Sequence, residues 1–215
     1  MNILIAGANG TVGNQVVEQI VQRGDSAYAL VHSEPDPSDF DAAVHVIQGD
    51  LEGDLTGQAE NMDVVIFAAG SGANTGTDKT HAVDQEGAKS LIDEAKRAGV
   101  QRFIMLSSKG ADDPSQAGEK MKPYLTAKHN ADQYLKDSGL EYLILRPVRL
   151  TNDAAQGTVT ASENVPADAE ITRADVAACI VESVYNDQIS EVTIELCAGD
   201  TPVSEALQNF ALSLV

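Results

Sequence analysis

The feature that most constrains this chain is the run Asn2–Gly13, Asn-Ile-Leu-Ile-Ala-Gly-Ala-Asn-Gly-Thr-Val-Gly. The apolar segment Ile3–Ala6 is broken by three glycines, Gly7, Gly10 and Gly13. Val12, Val16, Val17, Ile20 and Val21 then recur at helical spacing. This pattern is a strand, a tight turn and a helix. A helix that opens at such a turn presents N–H groups without intrahelical partners, and the positive end of its dipole, to the space above the strand. The natural occupant is a phosphate. Gly7 lets the chain turn sharply, Gly10 lets the backbone approach a pyrophosphate, and Gly13 lets the helix lie close to the strand. An ordinary β–α turn with incidental glycines is the competing reading; the strand-to-helix context favours the phosphate cradle.

Composition narrows the field of ligands. The 215 residues fit a single α/β domain. A formal net charge of −19 repels phosphate backbones and anionic lipid, so neither nucleic acid nor a membrane is expected as a partner. The longest clean apolar run, Val64–Ala69, is too short to span a bilayer. The strand pattern starts beside Met1, which leaves no room for a signal peptide and points to the cytoplasm. Cys179 and Cys197 make no CxxC and no metal spacing, and His32, His45, His81 and His129 are scattered, so no protein-bound metal is expected. A monomer or homodimer acting on a small molecule fits these bounds.

Along the chain, strand and helix patterns alternate through residue 147. The first helix runs from about Thr11 to Arg23 and stops at Gly24. Ala27–Val31 reads as the second strand. In folds that hold NAD an acidic residue at its tip usually binds the adenosine ribose, whereas a basic residue accommodates the extra phosphate of NADP. Here the tip is Val31-His32-Ser33, with Glu34 next. His32 and Ser33 can both donate to a phosphate, which leans the reading to NADP with NAD possible. Val44–Ile47 is a short strand leading to Gly49-Asp50-Leu51, where Asp50 reaches the adenine or defines the turn. Asp63–Ala69 is a strand buried on both faces. The small residues Ala68, Ala69 and Gly70 at its end leave space for a ribose, and Gly70–Asp78 reads as a loop. A helix from about Lys79 to Ala98, a strand Phe103–Leu106 running into Ser107-Ser108, a helix carrying Tyr124 and Lys128 to about Asp137, and a strand Tyr142–Leu145 ending in Arg146-Pro147 follow. Repeated βαβ units demand a parallel sheet covered on both faces, a doubly wound Rossmann-type α/β fold. After it, residues 151–215 read as a small C-terminal, substrate-side extension. They hold a short strand at Thr158–Ala161, a helix-start box at Thr172–Asp175, a strand Val192–Leu196 and a last helix Ser204–Leu214.

Ligands of such sheets bind beyond the carboxyl ends of the strands, where strand order reverses. Ser71, Ser107, Ser108, Tyr124 and Lys128 gather there. Tyr124 and Lys128, one helical turn apart, share a helix face. An ammonium beside a phenol favours the phenolate, which suits proton exchange during hydride transfer, while a serine hydroxyl holds the substrate oxygen. The competing readings are a solvent-facing Tyr–Lys pair, a solvated Asp84 inside its helix, and Asp175 as a simple cap.

These residues make the chain similar to the short-chain dehydrogenase/reductase superfamily, in its atypical NAD(P)-binding, epimerase/dehydratase-like branch. Gly7-Ala8-Asn9-Gly10-Thr11-Val12-Gly13 resembles that branch's Gly-x-x-Gly-x-x-Gly pattern. Gly49-Asp50-Leu51, Ala68-Ala69-Gly70, Ser107-Ser108, Pro123–Lys128 and Leu145-Arg146-Pro147 fall where it has its motifs. The resemblance implies Ser108, Tyr124 and Lys128 as the catalytic serine, tyrosine and lysine. Asp84 stands where a fourth member, asparagine, is usual, and Gly7, Asn9, Gly10, Thr11, Val12, Gly13, Asp50, Leu51, Ala68, Ala69, Gly70, Ser107, Lys128 and Pro147 would meet the cofactor. His32 stands where NADP-preferring relatives often carry arginine, and Val148 and Arg149 replace a frequent glycine and proline. Three functions follow: an NADP-dependent oxidoreductase of a small carbonyl or alcohol, a non-catalytic NADPH-binding redox sensor, or a sugar epimerase/dehydratase. The short C-terminal region counts against the last.

Overall fold

The computed structural model describes residues 1–32, 40–70 and 76–214. Within them the core follows from how the apolar strands alternate. β1 (Asn2–Ala6) sends Ile3 and Ile5 to one face of the sheet and Leu4 and Ala6 to the other. β4 (Val64–Phe67), β5 (Arg102–Leu106) and β6 (Glu141–Pro147) alternate in the same way. Strands that send apolar side chains to both faces in this way are buried by helices on both faces. One face is covered by α1 (Thr11–Gln22), α5 (Arg173–Val184) and α6 (Val203–Ser213). The other is covered by α3 (Ala88–Ala98) and α4 (Lys122–Asp137).

β2 (Ser26–Val31), β3 (His45–Gln48), β7 (Arg149–Thr151), β8 (Thr158–Ser162), β9 (Glu170–Thr172), β10 (Val192–Ala198) and β11 (Thr201–Pro202) complete the strands. The main sheet has nine, in the order β11-β8-β10-β6-β5-β4-β1-β2-β3. From β3 to β10 all neighbours pair parallel; β8 and β11 close one edge by antiparallel pairing. β7 and β9 form a separate parallel pair. This is the doubly wound Rossmann-type α/β fold expected. The chain steps outward from β1 to β3 and returns to β4 on β1's other side, so strand order reverses between β1 and β4.

Four features differ from the sequence reading. β4 ends at Phe67, so Ala68 and Ala69 belong to the turn beyond it. The expected single helix from Lys79 is composite: α2 (Thr77–Thr80), a π-helical stretch His81–Gly87, then α3. Gly87 lets that stretch close on its neighbour, because a Cβ there would lie 2.8 Å from the Leu51 Cβ. β7, β9 and β11 are two or three residues long, below the length at which alternation can be read. The C-terminal region is largely a continuation of the sheet through β8, β10 and β11. Its anchor is Asp175, which does more than cap. Thr172 caps α5 by accepting from the Asp175 amide at 3.0 Å, while the Asp175 carboxylate accepts from the Gln156 and Gly157 amides.

Among the described residues no helix is long and apolar enough to cross a membrane, and no group of three or more His, Cys, Asp or Glu could hold a metal ion. Both cysteines are free and buried, and burial pushes the Cys179 thiol far up.

Candidate functional site

The glycine turn lies at the reversal point, and two of its three glycines are required by contact. Gly7 has φ +82°, and a Cβ on it would stand 2.6 Å from the backbone of Ala69. A Cβ on Gly13 would stand 2.1 Å from the Gly7 carbonyl oxygen, so the close approach is between helix start and turn rather than helix and strand. Gly10 is the N-cap of α1; its amide donates to the Gly7 carbonyl at 2.9 Å and its carbonyl accepts from Asn14 at 2.8 Å. The first-turn amides of Thr11, Val12 and Gly13 have no intrahelical acceptor and point out of the helix start. The N-cap residue of α1, Gly10, offers no side-chain cap, and none of the helix's first-turn residues is acidic. An anion is therefore the fitting cap.

In front of this turn lies a groove of about 330 Å³. Its walls include Gly7, Asn9, Gly10, His32, Asp50, Leu51, Ala68, Ala69 and Gly70, all expected from the sequence. Gly49, of the Gly49-Asp50-Leu51 motif, also lines it, as do four residues that were not expected, Leu30, Glu52, Lys79 and Val83. The two last could have been found only from the fold, which turns α2 and the π stretch over the groove. Val12 and Gly13 are buried behind the groove wall and Thr11 is exposed. Ser33, with Glu34 and Ser71, lies outside the described residues. Ser108, Tyr124, Lys128 and Asp84 do not line this groove; hollows of about 420 Å³ and 550 Å³ elsewhere hold none of them and none of the glycine turn.

Asp50 does define its turn: one carboxylate oxygen accepts from the Glu52 amide at 2.9 Å, and the Gly53 amide donates to its carbonyl at 2.8 Å. Its other oxygen lies 3.3 Å from His32 Nδ1.

The second half of the site lies at the ends of β4 and β5. Lys128, on α4, is buried, with Nζ 3.1 Å from Asp84 Oδ1, itself fully buried. The ammonium also donates to the carbonyls of Leu106 at 3.3 Å and Ala69 at 3.4 Å. It stands 5.7 Å from the centroid of the Tyr124 ring and 5.5 Å from that of Phe67. The wide π turn is what brings Asp84 to it, and such turns concentrate at functional sites. Burial pulls the Lys128 ammonium down, but the Tyr124 phenol and the Asp84 and Asp132 carboxylates outweigh it and hold its pKa above the usual lysine range. Tyr124 and Ser108 are half-buried, and the Ser108 hydroxyl donates to the Lys109 carbonyl at 3.3 Å.

Ser107 and Pro147 lie at the ends of β5 and β6. The Ser107 hydroxyl donates to Asp132 Oδ2 at 2.9 Å, and the same oxygen accepts from Arg146 Nε at 3.0 Å and Nη2 at 2.8 Å. The buried Pro147 accepts from the Lys109 amide at 2.9 Å. Asp132 is a buried member of the site that the sequence reading does not include. Its signal is its place one helical turn past Lys128, on the same face of α4.

Glycine cradle, groove and buried lysine thus meet at one edge of the sheet. A family model for NAD(P)H binding matches residues 7–187. The chain belongs to the NAD(P)H-binding family. As a member of it, it is 38% identical over 214 residues to the "uncharacterized sugar epimerase YhfK" of Bacillus subtilis, with 97% of this chain and 100% of that one covered. It is similar to the solved structure of a candidate NAD-dependent epimerase/dehydratase from Bacillus halodurans, at 37% identity and TM-score 0.92, covering 97% and 99% of the two chains. It is also similar to the oxidoreductase ylbE from Lactococcus lactis, at 31% identity and TM-score 0.85, covering 97% and 96%. This family member therefore stands among epimerase/dehydratase-like and oxidoreductase Rossmann proteins, the branch its motifs resemble.

Proposed function

We propose that this NAD(P)H-binding protein is an oxidoreductase that reduces a small carbonyl or oxidises the matching alcohol. The observation that carries this reading is the position of Lys128. Its ammonium bridges the ends of β4 and β5, beside Tyr124, at the sheet edge that holds the glycine cradle. Bound in the groove, the dinucleotide would supply the hydride. Tyr124 gives its proton to the carbonyl oxygen as the alcohol forms, and Ser108 orients that oxygen. Lys128 carries the positive charge that steadies the phenolate left behind, with Asp84 setting how much of that charge the tyrosine feels. His32 in the groove wall inclines the choice to NADP, with NAD accepted. The chain would work in the cytoplasm as a monomer or homodimer; its charge of −19 disfavours nucleic acid and anionic membranes as partners.

A panel of small aldehydes, ketones and quinones offered with NADPH and NADH tests this. A turned-over substrate is expected, and Tyr124→Phe should lower kcat by about 10²- to 10⁴-fold with little change in nucleotide affinity. Full activity in Tyr124→Phe would remove the catalytic assignment.

One observation favours a second reading, a nucleotide-binding sensor without turnover. An ammonium has three N–H donors, and those of Lys128 have three protein acceptors: Asp84, Leu106 and Ala69. Tight NADPH binding with no reduction anywhere in the panel would favour the sensor.

A further inference from the structure

The outer end of the groove carries two neighbouring acid–base pairs, His32 with Asp50 and Lys79 with Glu52. β2 and β3 pair so that Val31 stands opposite Gln48, which brings His32 beside the turn that follows β3. There Asp50 is held by its own turn, one oxygen accepting from the Glu52 amide at 2.9 Å and the other 3.3 Å from His32 Nδ1. Next along the wall, Lys79 of α2 is paired with Glu52. All four side chains belong to residues that line the groove.

We propose that Asp50 tempers the preference for NADPH over NADH that His32 favours, by fixing a carboxylate against the one described basic side chain at the tip of β2. The inference rests on reading the groove as the dinucleotide site. Among the described residues, the carboxylate nearest the end of β2 comes from the end of β3, where NAD-binding folds usually carry one on β2 itself. NADPH brings a phosphate of charge near −2 to this end, and that phosphate must share His32 with a carboxylate that its turn keeps from swinging away. NADH brings neutral hydroxyls, from which a carboxylate accepts. Lys79 gives little relief, because Glu52 engages it. His32 and Asp50 have side chains 71% and 44% exposed, so water and salt weaken the repulsion and the discrimination is modest.

Fluorescence titration of NADPH and NADH against wild type and Asp50→Asn tests the claim. Asparagine keeps a side-chain oxygen to accept from Glu52, so the turn is retained. At low salt the ratio Kd(NADH)/Kd(NADPH) should rise about three- to tenfold in Asp50→Asn, and less at ~0.3 M salt. Adding His32→Ala to that variant should remove most of the gain. A ratio that does not move, or equal gains for both nucleotides, overturns the role of Asp50 alone. If neither nucleotide binds the wild type, the dinucleotide reading of the groove falls and this inference with it.

Discussion

Asp84→Asn and Lys128→Ala should each destabilise the protein by about 3–5 kcal/mol, because each leaves the other charge buried without its counter-ion. For a chain of this size that is a fall in Tm of roughly 6–20 °C. The asparagine carbonyl can still accept from the ammonium, so Asp84→Asn belongs at the lower end. Replacing the pair together, as Asp84→Ala with Lys128→Met, should cost much less than the sum of the single changes, since it removes both charges without overfilling the site. The pair also has a pH signature. The Lys128 pKa is raised above its ordinary value of 10.5, so its contribution is complete below that pH and is lost as pH rises through the higher folded value. Thermal melts from pH 8 to 11 should show an alkaline loss in wild type that the double variant lacks. Single variants that melt within about 1 °C of wild type would contradict the buried-pair account.

Gly13→Ala should cost about 3 kcal/mol or more and abolish measurable dinucleotide binding. A Cβ 2.1 Å from the Gly7 carbonyl oxygen forces the helix start away from the turn, and the first-turn amides move with it. Gly24 is the control. It has φ +85°, but a Cβ there would meet nothing within 4 Å. Gly24→Ala therefore carries only left-handed backbone strain, of order 1–2 kcal/mol, and should bind normally. Calorimetry and nucleotide titration on the two variants separate damage to the cradle from general loss of stability. Binding retained in Gly13→Ala would contradict the cradle.

The cradle is legible in the sequence because all its parts are local: three glycines, a strand pattern before them and a helix pattern behind. The groove's floor is legible for the same reason, since Gly49-Asp50-Leu51 and Ala68-Ala69-Gly70 each end a readable strand. Contacts between distant segments are not. Nothing in the sequence announces a π stretch at His81–Gly87, because hydrogen-bond register leaves no compositional mark; yet that register puts Asp84 against Lys128. Helical spacing shows that Tyr124 and Lys128 share a face, but not that the ammonium turns inward onto two strand-end carbonyls. The place of Ser107 after β5 suggests a cofactor contact. Its hydroxyl also donates to Asp132, a partner 25 residues away that no motif marks.

A crystal structure with bound NADPH is the most direct test of the central claim, that this sheet edge is one dinucleotide site joined to a Tyr124–Lys128 centre. The pyrophosphate is expected on the amides of Thr11–Gly13, the adenosine between Asp50–Leu51 and Ala68–Ala69, and the nicotinamide within reach of Tyr124. A nucleotide seated away from the glycine turn, or a nicotinamide facing away from Tyr124, would contradict it.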